Sequence, residues 1–143
     1  MAKTELKILI GLHRTANEID RQTARLMADY DLTLGQFAVL EALYHKGNLT
    51  VGEVQRAILS SSGTIPLIIN HLGKRGLLIR QEDEEDHRRC ILSLTEEGRK
   101  LISEAYPPNE AIIIREMECW TADEKETLAA LLKKFGGAHG KTD

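Results

Sequence analysis

The chain has 143 residues, 42% of them hydrophobic and 29% charged, the balance of one soluble globular domain with room for a core. Its formal charge of −3 excludes a broad cationic coat for nucleic acid or membrane, but not a local basic face. No apolar run approaches the roughly 20 residues of a membrane span, so a cytoplasmic protein with no membrane partner is expected.

Aromatic residues make up only 4% of the chain, so the core must be aliphatic. Cys90 and Cys119 are far apart and form no CxxC pair, which argues against a zinc site or a disulfide framework. No glycine-rich phosphate loop and no His/Cys/carboxylate set with metal spacing is present. No cofactor is therefore expected, and an enzyme has little to rest on.

From about Thr4 to Tyr30 the apolar residues fall mostly three and four apart, the spacing of a helix with an apolar stripe. Ile8 and Ile10 widen that stripe, which asks for a second partner such as a dimer mate. Asp31-Leu32 makes a short break. Thr33 with Gln36 reads as a capping box and starts a helix that ends at Gly47. Thr50 with Glu53 repeats the signature and opens a short helix with Val51, Val54 and Ile58 inward.

Ser60-Ser61-Ser62-Gly63-Thr64 is a polar turn into the next helix. In that helix Ile65, Ile68, Ile69 and Leu72 form an inward row, and Thr64, Leu67, Asn70, His71 and Lys74 lie off it. Pro66 is tolerable only in the first turn, which places the helix start near Ser62 to Thr64. Lys74-Arg75-Gly76 closes it with basic residues and a glycine cap.

Leu77 to Arg80 and Cys90 to Leu94 read as two strands separated by a charged tip from Gln81 to Arg89. Thr95 then caps a helix that Pro107-Pro108 is expected to break or kink near Tyr106. The pattern resumes through Ile112, Ile113 and Ile114. Thr121 with Glu124 caps a last helix that should end at Gly136-Gly137, followed by a disordered tail.

Helix, turn, helix, then hairpin is the order of a winged helix-turn-helix, which lays its second helix in the DNA major groove. The fold class expected is mainly α (α+β). It comprises a winged helix-turn-helix with a two-stranded β wing, and N- and C-terminal helices forming a dimerisation region. Residues 1–143 form a single domain, with a DNA-binding lobe at 33–94 and dimerisation helices at 4–30 and 96–135.

The motifs are also specific in their order. Thr33-x-x-Gln36-Phe37-x-Val39-Leu40, Leu49-Thr50, Ser62-Gly63-Thr64, Arg75-Gly76-Leu77, Asp86-x-Arg88 and Leu94-Thr95-x-x-Gly98 together resemble the MarR family of bacterial transcription regulators, over roughly residues 30 to 102. The resemblance implies a homodimer that binds a pseudo-palindromic double-stranded operator, mostly as a repressor released by a small-molecule effector or by cysteine oxidation. It also implies that Arg88 enters the minor groove while Asp86 holds an arginine or the loop. Two positions depart from the family's pattern. Pro66 stands where a polar, DNA-facing residue is common, and the tip Glu82-Asp83-Glu84-Glu85-Asp86 is unusually acidic.

The residues expected at the DNA are Ser60, Ser61, Ser62, Thr64, Leu67, Asn70, His71, Lys74, Asp86, Arg88 and Arg89. Read as plain surface, Arg88 and Arg89 would only neutralise the acidic tip, and the serines would only cap a helix. His13, Tyr44 and His45 are candidates for an effector site between the dimer helices and the winged lobe. Two alternatives stay open. One is a redox-responsive regulator using Cys119; the other is a dimeric interaction module that has lost DNA binding.

Overall fold

The computed structural model describes residues 2–58 and 64–139. Its elements run α1 (Lys3–Ala28), α2 (Leu34–Lys46), β1 (Leu49–Thr50), α3 (Val51–Ile58), α4 (Ile65–Lys74), β2 (Leu78–Glu82), β3 (Cys90–Leu94), α5 (Glu96–Glu116) and α6 (Ala122–His139). The expected tail from residue 140 lies outside the described residues.

Local signals set most boundaries. The Thr33 hydroxyl accepts from the Gln36 amide at 3.1 Å, and the Gln36 side chain accepts from the Thr33 amide at 3.0 Å. Thr50 with Glu53 and Thr121 with Glu124 close the same reciprocal box. Each box satisfies two amides that a helix start leaves without partners.

The end of α4 is a Schellman turn. Gly76 has φ +73°, the Leu77 amide reaches back to the Leu72 carbonyl at 3.0 Å, and the Gly76 amide reaches that of Gly73. Thr95 ties this turn to the next helix. Its hydroxyl donates to the Gly76 carbonyl at 2.6 Å and accepts from the Gly98 amide at 2.9 Å. Gly98 packs so closely that a Cβ there would sit 1.9 Å from the Leu77 carbonyl oxygen. This knot explains why Arg75-Gly76-Leu77 and Leu94-Thr95-x-x-Gly98 occur together.

The sheet has the order β1-β3-β2, antiparallel throughout. The wing hairpin pairs Leu78 with Leu94 and Glu82 with Cys90, so β2 runs two residues further into the tip than expected. The sheet also has one strand beyond the two-stranded wing, because Leu49 and Thr50 pair with Leu92 and Ile91. Leu92 is fully buried between the two neighbours.

The core is aliphatic, as the composition demands. Leu40, Leu43, Ile65, Ile69, Leu72 and Leu92 are all under 2% exposed, and Met27 of α1 and Ile102 and Ala105 of α5 join the same cluster. The inward row of α4 is as the spacing predicts, with Ile65, Ile68, Ile69 and Leu72 buried.

Two expectations fail. Pro107-Pro108 does not interrupt α5, which runs unbroken from Glu96 to Glu116. Prolines at 107 and 108 remove the amides that would bond the carbonyls of Ser103 and Glu104. The Tyr30 hydroxyl, from the connection between α1 and α2, donates to the Glu104 carbonyl at 3.4 Å. Burial of Ile102, Ala105 and Asn109 on either side pins the helix to the core. Nor does α6 stop at Gly136-Gly137; it continues to His139. Glycine in a helix costs about 1 kcal/mol relative to alanine and does not by itself end one.

Every described residue from Ala2 to Asn17 is exposed, and among the described elements α6 has at most glancing contact with the rest. Leu6, Ile8, Leu9, Ile10, Ile114, Leu131, Leu132 and Phe135 are all exposed.

Candidate nucleic-acid interface

The outward face of α4 carries Thr64 at its N-cap, then Leu67, Asn70, His71 and Lys74, all exposed. They lie opposite the buried isoleucine row, so the face is fixed by the core and not by the polar residues themselves. Pro66 sits in the first turn, where its missing amide costs little. It is exposed on the same helix. Ser60, Ser61 and Ser62 lie outside the described residues.

Sequence reasoning missed Arg80. Its guanidinium donates to the Asn70 side-chain oxygen at 3.0 Å, bridging α4 and β2. The bond uses one of the two lone pairs on the Asn70 oxygen. A bidentate adenine contact would use both groups of the amide, so its oxygen would have to accept from the base beside Arg80. Arg80 could have been suspected from period two alone. It stands two residues from buried Leu78 and pairs with Leu92, a position where a charge must reach past the sheet for a partner.

The wing separates the two arginines. The Asp86 carboxylate accepts from the backbone amide and from Nε of Arg88, both at 3.1 Å. The Arg88 side chain is nevertheless 91% exposed, so the aspartate braces its base and aims it outward. Arg89 instead turns back toward half-buried Asp83, at 3.7 Å. Backbone bonds from Asp83 to Arg89 and from Arg89 to Asp86 close the tip. His87 faces Glu82 at 3.1 Å, an ion pair when the imidazole is protonated. The acidic run is thus partly neutralised from within, by the chain's own cations.

The three candidate effector residues are not brought together. Tyr44 and His45 of α2 form an aromatic cluster with Tyr106 of α5, the His45 and Tyr106 rings meeting edge-on at 4.5 Å. His13 lies on the exposed half of α1. A cavity of about 500 Å³ opens elsewhere, between α1, α2 and α5. Its lining includes Ile19, Thr23, Phe37, Glu41, Asn109 and Ile113. Within it the Thr23 hydroxyl donates to the buried Asn109 side-chain oxygen at 2.7 Å. Burial pushes the Glu41 carboxyl above its ordinary range, with the charge of His45 opposing.

Cys90 is half-buried on β3 and packs against the core. Cys119 is exposed beyond the end of α5, its thiol donating to the Glu116 carbonyl at 3.8 Å.

Comparison with known proteins agrees with this geometry. The sequence model of the SarA/Rot transcriptional regulator family matches residues 21–105. The HTH-type transcriptional regulator MhqR of Bacillus subtilis is 31% identical over 136 residues, covering 95% of this chain and 94% of its own length. Bordetella bronchiseptica BpsR, whose DNA binding is regulated by 6-hydroxynicotinic acid, is 28% identical. It superposes with a TM-score of 0.80 over 91% of this chain and 98% of its own. An Escherichia coli MarR mutant complexed with operator DNA shares the fold, with a TM-score of 0.79 at 23% identity over 94% and 99% of the two chains. No described helix is long and apolar enough to cross a membrane. The chain belongs to the MarR/SarA-type family of winged-helix transcriptional regulators.

Proposed function

We propose that the chain acts as a homodimeric repressor that reads an inverted-repeat operator and releases it when a small molecule binds. The observation that carries the reading is the joined surface of α4 and the wing. Leu67, Asn70, His71 and Lys74 share one exposed helix face, Arg80 links that face to the sheet, and Asp86 holds Arg88 outward beside it.

The roles differ by chemistry. Lys74 is a cation near the C-terminal end of α4 and serves phosphate oxygens. Asn70 and Thr64 supply donors in the major groove, and Leu67 suits a thymine methyl. Arg88 suits a narrow, electronegative minor groove. Arg89 serves mainly to quiet the acidic tip through Asp83. Ser60, Ser61 and Ser62 are carried as phosphate-facing hydroxyls on the sequence alone.

Residues 33–94 act as the DNA-binding lobe, and the helices at 4–30 and 96–135 hold two lobes at a fixed spacing. The exposed apolar residues of α1, α5 and α6 supply the mating surface, since so many large apolar side chains left in water ask for a partner. The cavity between α1, α2 and α5 is the effector site we favour over His13, Tyr44 and His45, because its apolar walls enclose two buried polar groups.

A nuclease footprint on DNA upstream of the chain's own gene tests the reading. It should show an inverted repeat whose halves lie about 34 Å apart, one helical turn, with two protomers per site by light scattering. Protection of a single half-site by a monomer would contradict it.

A further inference from the structure

We propose that the cavity between α1, α2 and α5 takes a small apolar organic cation, an amine or amidine on an aromatic or aliphatic body, and not an organic acid. The assignment rests on reading that cavity as the effector site. Its walls are apolar on several sides, with Ile19, Phe37, Ile58 and Ile113 among them, and its charged groups are Asp20 and Glu41. Among the described residues the lining holds no lysine, arginine or histidine. His45 acts on Glu41 from one helical turn away but does not line the space. The segment 59–63, next in the chain after Ile58, reads Leu-Ser-Ser-Ser-Gly and adds no charge.

The two carboxylates decide the ligand's sign. A carboxylate ligand would give up its hydration to enter and meet two carboxyl groups with no cation in the lining to pair with, which a buried charge does not tolerate. A cation meets Asp20, which is exposed, and then half-buried Glu41. Pairing with it would relieve the burial that holds the Glu41 carboxyl high. A volume of about 500 Å³ suits a small-molecule ligand. The contrast with BpsR is direct, because 6-hydroxynicotinic acid is itself an acid.

The site also touches the reading head. Gly35 lines the cavity, and a Cβ there would come within 2.8 Å of Ile68 on α4. Ile58 is the last residue of α3, and α4 begins at Ile65. A molecule wedged against these two residues bears on the position of the recognition helix.

Three probes with one naphthalene body test the assignment on the full chain by calorimetry: naphthylmethylamine, naphthol and naphthoate. The amine should bind roughly tenfold tighter than the naphthol, the worth of one charge-assisted hydrogen bond, and the naphthoate should not bind. Glu41→Gln should remove most of that advantage and leave the naphthol unchanged. Asp20→Asn, at an exposed residue, serves the same end if Glu41→Gln does not fold. Binding of the naphthol or naphthoate as tight as the amine overturns the charge assignment and leaves the cavity standing as the effector site. An amine preference that survives both substitutions overturns it too. If no probe binds, or if binding survives Ala38→Trp, which fills the cavity, the effector-site reading falls as well.

Discussion

Asp86 shows how much one residue can organise. It orders the wing tip through the backbone amide of Arg88 and aims that arginine's side chain with the same oxygen. The Arg88 side-chain hydrogen bond, then the Arg88 amide and the charge of Arg89, hold the Asp86 carboxyl below the ordinary aspartate range. A carboxylate lowered on folding contributes fully above its unfolded value, and that contribution is lost only as pH falls through the lower folded value. The wing should therefore keep its shape through neutral and mildly acid pH. A carbon-detected NMR titration should place the Asp86 midpoint below that of free aspartate, and Arg88→Ala should return it toward the ordinary value. A native midpoint at the ordinary value would mean the pair does not form in solution. The family motif already singles out Asp86 and Arg88, but spacing alone does not show what Arg89 does. Only the fold shows one arginine 91% exposed and the other leaning on Asp83.

At the scale of elements, the prolines of α5 give the sharpest test. Pro107 is exposed and sits inside an unbroken helix, so it costs a hydrogen bond to the Ser103 carbonyl and gains little packing. Pro107→Ala should restore that bond and raise stability by roughly 1–3 kcal/mol, read as a higher urea midpoint at unchanged slope. A lower midpoint would show that the prolines shape a bend the core requires. The failed expectation of a break has a physical reason. Tyr30 reaches the carbonyl freed by Pro108 from 74 residues away, and no local pattern encodes that contact. The same holds for β1, two residues whose strand identity depends on Leu92 and Ile91 forty positions later. The Arg80–Asn70 bridge likewise joins two elements across a turn. What was legible was local or periodic. Each capping box needs four consecutive residues, and the isoleucine row of α4 needs only helical spacing. The cavity between α1, α2 and α5 is less legible, because it is defined by several helices at once and not by any run of sequence. His13, Tyr44 and His45 do not line this cavity.

For the whole molecule, the net charge of −3 and a DNA-binding role fit together only if few cations do the work. The acidic tip is met internally by Arg89 and, when protonated, by His87, so the proposed reading surface would rely on Lys74, Arg80 and Arg88 for its outward positive charge. The apolar residues left exposed on α1, α5 and α6 lie outside that surface, so the proposed dimer contact and the proposed DNA contact would use different faces. The measurement that bears most directly on this account is the salt dependence of binding to the upstream DNA, by fluorescence anisotropy, for the native chain and for Arg88→Ala and Lys74→Ala. Each phosphate neutralised contributes about −0.9 to the slope of log affinity against log salt. Lys74→Ala should make the slope shallower by about one for each site it contacts, evenly across sequences, and Arg88→Ala should cost roughly 1–3 kcal/mol with relaxed sequence preference. If both variants keep the native affinity and the native slope while remaining dimeric, the surface formed by α4 and the wing is not where this chain meets DNA.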